Sequence, residues 1–211
     1  MWLFPHMTKV TCLHSHNFMK PINPIINEMK INSAIRDRRL YLTDVLDEDL
    51  AFEICYFLRR IYDIDKKNNI KDEDKIITII CNCYGGSVIH GNAIIGLIEF
   101  LKSENYKIIA LVEGFCYSME FDIVICCSER IGYPLSQYMI HQTQLGNHGE
   151  LAELERDVNF NKKMWEQSIQ YYTKYTKLTR ERLEEIYKCK ENYFMLADEA
   201  LELGVIDKII P

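Results

Sequence analysis

The chain has 211 residues, of which 48% are apolar, 27% charged and 11% aromatic, a balance typical of one globular domain that excludes disorder over most of its length. Its 25 basic and 31 acidic residues are interspersed and give a formal net charge of −6, which excludes the clustered basic face that nucleic acid needs. No apolar run approaches the ~20 residues of a membrane helix, and the N-terminus has no secretory-signal pattern. We therefore expect an unprocessed cytoplasmic protein with no nucleic-acid or membrane partner.

The eight cysteines include no C-x-x-C pair and no Cys/His cluster with zinc spacing. Most of them lie inside apolar runs, where a free cysteine behaves as a small core residue. We expect free thiols in a reducing compartment and no metal site.

The N-terminal part of the chain changes character near residue 28. Residues 1–27 contain three prolines and no clear hydrophobic period, so we predict an irregular or mobile arm. A short strand is predicted at 40–42, and the acidic residues 47–49 mark the start of a helix that continues to Ile61. The polar stretch 66–75 is predicted as a surface loop.

Strands alternate with helices in the middle of the chain. Two stretches rich in β-branched residues, 76–80 and 108–112, are predicted as strands buried on both faces, and a third is predicted near 138–140. Helices are predicted between them at about 88–101 and 119–127. This alternation indicates an α/β fold wound by right-handed crossovers.

The longest predicted helix, at about 150–173, carries more apolar surface than a solvated helix would, so we expect a partner subunit on it. Shorter helices at 183–187 and 197–203 and a final strand at 205–210 complete the chain. The apolar stripe of the long helix consists of Leu151, Leu154, Val158, Trp165, Ile169 and Tyr172.

Three local features contain residue types that acyl transfer uses. The segment YGGSV at 84–88 follows a buried strand, and its glycines can present backbone N–H groups to an anion. Ser118, in FCYSM, lies where a nucleophile sits at a sharp turn, and His141 ends the third strand as a general base could. Each feature alone has a plainer explanation: a turn, a helix cap and a core histidine.

Together and in this order, the three segments resemble the proteolytic subunit of the Clp protease, ClpP, a self-compartmentalised serine peptidase. YGGSV matches the family's SPGGSV segment, FCYSM stands at its nucleophile segment, and MIHQ at 139–142 matches its MIHQP segment. The resemblance continues through 145–155 and 197–207 and covers about 34–210. It implies a ClpP/crotonase-like α/β fold, in which helices wind a parallel sheet and a helix–strand handle protrudes at about 142–175.

The resemblance also implies the roles of individual residues. Ser118 would be the nucleophile and His141 the general base, and the backbone N–H groups of Gly86 and Met119 would form the oxyanion hole. An extended substrate would pair through its backbone with strands on both sides of the site. The substrate-binding residues implied in this way are Gly86, Ser87, Val88, Leu145 and Gly146.

Subunits of this family form two stacked seven-membered rings around a chamber, and AAA+ unfoldases dock on the ring faces. We therefore expect a peptidase domain over residues 28–211 that assembles with itself or a paralogue as a tetradecamer. Its substrates would be proteins and peptides. We expect no cofactor on this chain, because ATP would be used by the unfoldase.

The sequence departs from the family's pattern beside the predicted catalytic residues. Counting back from Gly204, the family's third triad residue, an aspartate, falls on Asn192. An amide can orient His141 but cannot offset the charge of an imidazolium. Tyr117 and Glu120 replace small residues on either side of the serine, so we expect reduced or conditional activity.

These observations predict a ClpP-like serine endopeptidase subunit that cleaves unfolded proteins inside an oligomeric chamber. The alternatives are a non-catalytic subunit of a mixed ring, a phage capsid-maturation peptidase of the same fold, and a crotonase-type acyl-CoA enzyme. The intact Ser118 and His141 favour the peptidase, whereas Asn192, Tyr117 and Glu120 favour the non-catalytic subunit.

Overall fold

A sheet of mainly apolar strands forms the centre of the molecule. The structure is a computed structural model that describes residues 24–143, 149–190 and 192–211. Its strands are β1 (Arg39–Leu42), β2 (Ile76–Cys83), β3 (Lys107–Tyr117), β4 (Glu129–Gly132), β5 (Gln137–Ile140), β6 (Tyr193–Leu196) and β7 (Lys208–Ile209). Strands β1, β2, β3, β4 and β7 lie side by side in that order and run parallel, as the doubly buried apolar runs predict.

Helices connect the strands and cover the sheet. They are α1 (Pro24–Ile35), α2 (Glu48–Asn68), α3 (Val88–Ser103), α4 (Met119–Ile125), α5 (Leu151–Tyr175), α6 (Arg180–Cys189) and α7 (Ala197–Glu202), with a short 3-10 helix at Asp72–Asp74. The side chains of Asp47, Ser87 and Thr179 cap α2, α3 and α6 by accepting a backbone N–H. None of the described helices combines the length and apolar character needed to cross a bilayer.

Strand β3 pairs with two different strands, β4 and β5, at different points along its length, and this arrangement positions the site. Residues 109–112 of β3 pair with β4, whereas its last residues, 115–117, pair in parallel with β5. Strand β6 then pairs antiparallel with β5. Because β3 and β5 run in the same direction and end together, they bring the residues that follow them, Ser118 and His141, to the same edge of the sheet.

Helix α5 differs along its length. Towards its C-terminal end, Ile169 and Tyr172 are buried against the domain and Trp165 is partly buried. Towards its N-terminal end, Leu151 is 74% exposed and Val158 is 47% exposed. The domain covers only half of the predicted apolar stripe, so the prediction of a partner subunit concerns the N-terminal half. Within the predicted handle, residues 144–148 lie outside the described residues.

Two strands are not predicted by the sequence pattern, because they carry few apolar residues or are very short. Strand β4 has the sequence ERIG, and its Glu129 forms ion pairs of 2.6 Å with both Lys107 and Lys208. Charge pairing therefore supports a strand where an apolar run is absent. Strand β6 has four residues, and its burial does not follow a regular alternation.

Several element boundaries also differ from the prediction. Helix α1 begins at Pro24, so the last residues of the predicted arm 1–27 are helical, as proline at the first helical position allows. The rest of that arm lies outside the described residues. Helix α2 extends to Asn68, into the predicted loop 66–75, and the predicted strand 205–210 shortens to β7.

Candidate active site

Ser118 lies in a strained turn between β3 and α4. Its φ of 56° and ψ of −125° form a positive-φ conformation that residues with a side chain rarely adopt. The Ser118 N–H donates to the carbonyl oxygen of Met139 at 2.8 Å, which ties the turn to β5. The sharp turn that the sequence predicts at this serine is therefore present, in the form that exposes a nucleophile at a sheet edge.

Gly85 allows the loop after β2 to approach this turn closely. It has a φ of 86°, and a Cβ added to it would lie 2.6 Å from the carbonyl oxygen of Tyr117 and 2.9 Å from the Cβ of Ser118. Only a glycine fits both the conformation and the space. The glycine pair therefore holds the loop against the serine turn.

His141 follows β5 and contacts the serine directly. Its Nε2 lies 2.7 Å from the Oγ of Ser118, a hydrogen-bond distance. Tyr117 pairs with Met139 across the two parallel strands, and this register carries the next residues of both strands to each other. Burial lowers the pKa of His141 below its ordinary value of 6.5, so the neutral imidazole that can accept a proton is favoured at neutral pH.

The two predicted oxyanion donors flank the serine. Neither the N–H of Gly86 nor that of Met119 donates to a backbone carbonyl in the described part of the chain. Leu46 holds the Gly86 segment from behind, since its N–H donates to Gly85 at 2.9 Å and its carbonyl accepts from Ser87 at 2.8 Å. A Cβ on Gly86 would lie 2.3 Å from that carbonyl oxygen. Two N–H groups, those of Gly86 and Met119, thus remain available beside Ser118.

Asn192 precedes β6, at the edge of the same site. The antiparallel ladder of β5 and β6 ends at the pair Ile140 and Tyr193, so its continuation places Asn192 opposite His141. Asn192 is exposed and lines the cavity that contains Ser118. Among the described residues, however, no hydrogen bond joins Asn192 to His141.

The two large residues beside the serine both point away from the cavity. The Tyr117 hydroxyl donates to the side chain of Gln137 at 2.8 Å. Glu120 is fully buried, and its Oε2 accepts the N–H of Cys83 at 2.8 Å. Burial raises the pKa of Glu120 well above its ordinary value, which favours a neutral carboxyl that does not oppose an oxyanion. The reduced activity expected from these two residues stays a prediction.

A cavity of about 780 Å³ opens beside Ser118 and His141. Of the predicted substrate-binding residues, Gly86 and Val88 line it, while Ser87 caps α3 with its side chain. The other two, Leu145 and Gly146, lie outside the described residues. Helices α3, α4 and α5 supply most of the remaining wall, which includes Ile95, Glu99, Met119, Asp122, Met164, Trp165 and Tyr172.

Sequence reasoning missed the wall that α5 contributes and the acidic residue at its contact with α4. Asp122 lies in the first turn of the helix that follows Ser118, and this closeness of an acidic residue to the serine was the available signal. No sequence signal placed Tyr172 beside it, because α5 returns to the site from a distant part of the chain. The Tyr172 hydroxyl donates to Asp122 at 2.6 Å.

The fold and this pairing define a class: a hydrolase in which a strained serine and a histidine meet at the ends of parallel strands. Comparison with known proteins agrees with that class. The family model for Clp protease matches residues 25–211. The ATP-dependent Clp protease proteolytic subunit 1 of Protochlamydia amoebophila is 30% identical over 209 residues, covering 97% of this chain and 96% of that protein.

A second relative agrees with this family, and a solved structure agrees with the fold. The ATP-dependent Clp protease proteolytic subunit of Deinococcus radiodurans is 26% identical over 178 residues, covering 83% of this chain and 81% of that protein. An Asn-to-Asp mutant of ClpP1 from Listeria monocytogenes has a similar solved structure, with a TM-score of 0.71 at 21% identity, covering 85% of this chain and 94% of that one. The chain belongs to the Clp protease family, so the predicted family and fold class are confirmed, and in general terms the protein is a ClpP-like serine peptidase.

Proposed function

We propose that this protein is a serine endopeptidase subunit that hydrolyses peptide bonds of unfolded proteins inside an oligomeric chamber. The observation that carries the proposal is the 2.7 Å contact between the Oγ of Ser118 and the Nε2 of His141 at a strained turn. A serine that only capped a helix would accept a backbone N–H of that helix, and Ser118 makes no such bond.

The reaction would proceed in two acyl-transfer steps. His141 takes the proton of the Ser118 hydroxyl as the Oγ attacks the scissile carbonyl carbon, and the N–H groups of Gly86 and Met119 stabilise the oxyanion that forms. His141 then gives the proton to the leaving amine, and water hydrolyses the acyl-enzyme by the same route. Every proton in this scheme moves between the protein, the substrate and water, so the proposal includes no cofactor on this chain.

Asn192 would be the third member of the site in this proposal. Its position opposite His141 suits an amide oxygen that accepts the Nδ1–H of the imidazole once substrate binds. An amide carries no charge, so the imidazolium intermediate would be less stable than beside an aspartate. The proposed activity is therefore reduced, or conditional on assembly that orders this edge of the site.

The exposed half of α5 supports the proposal of an assembly. Leu151, Val158 and Phe160 present apolar side chains on a helix that extends from the domain. We propose that they are covered in stacked heptameric rings, formed with itself or with a paralogue, to which an AAA+ unfoldase delivers protein substrates. The proposed location is the cytoplasm, where such an unfoldase and its ATP are present.

A non-catalytic subunit is the second candidate, because the described residues include no hydrogen bond between Asn192 and His141. An activity-based probe separates the two candidates. We expect a fluorophosphonate to label the assembled protein at Ser118, as located by peptide mass spectrometry. The Ser118→Ala variant should lose labelling and peptide hydrolysis at unchanged oligomer size, while Ser103→Ala, an exposed serine at the end of α3, should retain both. Labelling of neither the parent nor Ser103→Ala would favour the non-catalytic subunit.

A further inference from the structure

Asp122 gives the cavity beside the nucleophile an acidic wall. It is one helical turn after Ser118 on α4, and its N–H donates to the Ser118 carbonyl oxygen at 3.4 Å. Ser118 precedes this helix in a non-helical turn, so the structure rather than helical spacing brings its side chain and that of Asp122 to one cavity. Both residues line the cavity, and no prediction from the sequence assigned Asp122 a role.

The charge of Asp122 is not compensated by a cation. Its carboxylate accepts the Tyr172 hydroxyl, and no ion pair joins it to a lysine or arginine among the described residues. The second carboxylate of the cavity, Glu99, differs in this respect. Its Oε1 accepts from Lys102 and from Tyr175, each at 2.9 Å. Of the two carboxylates, Asp122 is therefore the one that lacks a cationic partner among the described residues.

No lysine or arginine lines the cavity in the described part of the chain. The wall around Asp122 is instead mainly apolar or aromatic, and includes Ile95, Met119, Met164 and Trp165. A mainly apolar wall with one carboxylate that has no cationic partner among the described residues suits a side chain with an aliphatic stem and a cationic end. Lysine and arginine are the natural side chains with that chemistry.

We propose that this cavity binds a lysine or arginine side chain of the substrate, at the residue whose carbonyl Ser118 attacks, with the Asp122 carboxylate against its cationic group. This inference rests on the proposed peptidase function and gives it a substrate class. A cation held against a partly buried carboxylate forms a charge-assisted hydrogen bond, which is stronger than a neutral one. The cavity volume of about 780 Å³ leaves room for either side chain.

The protonation of Asp122 should make the preference for basic residues depend on pH. Burial raises the pKa of Asp122 to about 7, although the Tyr172 hydroxyl opposes the shift by stabilising the anion. A basic side chain binds the ionised carboxylate, so the preference for basic residues should grow as pH rises through that value and fade below it. The other titratable or charged groups that face the cavity, or pair with its wall, are Tyr84, Glu99 with its partner Lys102, His141, Tyr171 and Tyr172.

The test compares fluorogenic peptides that differ only in the residue before the cleaved bond: arginine, lysine or leucine. We expect kcat/KM at pH 8 to be at least about tenfold higher for arginine and lysine than for leucine. The ratio should fall towards unity at pH 6, and using the ratio cancels the titration of His141. Asp122→Asn should abolish the preference, whereas Asp63→Asn, which removes an exposed carboxylate of α2, should keep it.

A binding measurement keeps the inference testable if hydrolysis is slow or absent. Peptides that end in arginine or leucine are titrated against Ser118→Ala, and the fluorescence of Trp165, which lines the cavity, reports occupancy. We expect tighter binding of the arginine peptide, lost in the double variant Ser118→Ala, Asp122→Asn. Equal or weaker binding of the arginine peptide would overturn the specificity. Absence of hydrolysis and of fluorophosphonate labelling would overturn the peptidase function alone.

Discussion

The two sides of His141 are built differently. On one side, β3 and β5 form three parallel residue pairs, and the Ser118 N–H donates to the carbonyl oxygen of Met139. These contacts hold the serine against the imidazole. On the other side, β6 carries Asn192 to the opposite position, yet the side chain is exposed and lies beyond the end of the ladder. The comparison indicates that sheet register fixes the residues proposed as nucleophile and base, whereas the contribution of the third position depends on the side chain of residue 192.

The largest expected change in kcat/KM comes from a substitution at Gly85, on the side of His141 that faces Ser118. Gly85→Ala would place a Cβ 2.6 Å from the carbonyl oxygen of Tyr117 and force the serine turn to move. Since a displacement of about 1 Å from productive geometry can cost 10²-fold in rate, we expect kcat/KM on a short fluorogenic peptide to fall by about 10²-fold or more.

A matched control separates this displacement from backbone strain. Gly204→Ala also puts a side chain at positive φ, 68°, but at the end of α7, where the Cβ would meet Lys177 at an ordinary 3.4 Å. We expect Gly204→Ala to lower the thermal midpoint while kcat/KM of the folded protein stays at the parent value. Equal losses of activity in both variants would show that strain, rather than the position of Ser118, governs the rate.

The same comparison explains how far the sequence predicts the molecule. The apolar runs of β2 and β3 predict the buried centre of the sheet, and the segments around Ser118 and His141 predict residues that the structure brings into contact. The resemblance supplied their roles, which stay a proposal. Strand β4 is not predictable from hydrophobic pattern because it depends on ion pairs with residues distant in sequence.

Distant contacts also limit what the sequence says about the site. The surroundings of Asp122 are formed by Tyr172 on α5 and by a cavity lined by residues of three helices. The buried environment of Glu120 likewise depends on β2, which provides the N–H of Cys83. A sequence pattern places an acidic residue near the serine, but only packing decides which carboxylate faces the cavity and which is turned away.

On the other side of His141, a negative charge at residue 192 should raise the rate of hydrolysis. Asn192→Asp would supply a carboxylate opposite the imidazole, and in the chymotrypsin template the reverse change costs ~10⁴ in turnover. We expect a gain of at least about tenfold in kcat/KM, below the full factor because the surroundings of residue 192 fit an amide. The measurement uses a leucine peptide, since Asp122 would influence cleavage of basic ones.

Native mass spectrometry of the Asn192→Asp variant serves as the control, because a change in assembly could also change the rate. A variant no faster than the parent, at unchanged oligomer size, would mean that residue 192 does not reach His141. In that case, no side chain at residue 192 would orient the imidazole of His141.

Removal of the amide should have a smaller effect. Asn192→Ala deletes the proposed acceptor for the Nδ1–H of His141, a contact that the described residues do not already contain. A hydrogen bond formed only with substrate bound is worth about 1 kcal/mol, so we expect kcat to fall by about fivefold with little change in KM. A larger rise in KM than fall in kcat would indicate that Asn192 contacts the substrate instead.

The smallest expected effect is a shift of the acid limb of the pH–rate profile. If His141 is the base, as proposed, it must be neutral, so activity should fall as pH drops through its pKa. Burial lowers that pKa below 6.5, and the parent should keep its rate into mildly acidic solution on a leucine peptide. A carboxylate at residue 192 stabilises the imidazolium and raises the pKa of His141, so Asn192→Asp should lose activity at a higher pH than the parent while being faster above it. An acid limb at the same pH in both proteins would mean that the new charge is solvated, and any gain in rate would then have to come from geometry rather than from stabilisation of the imidazolium.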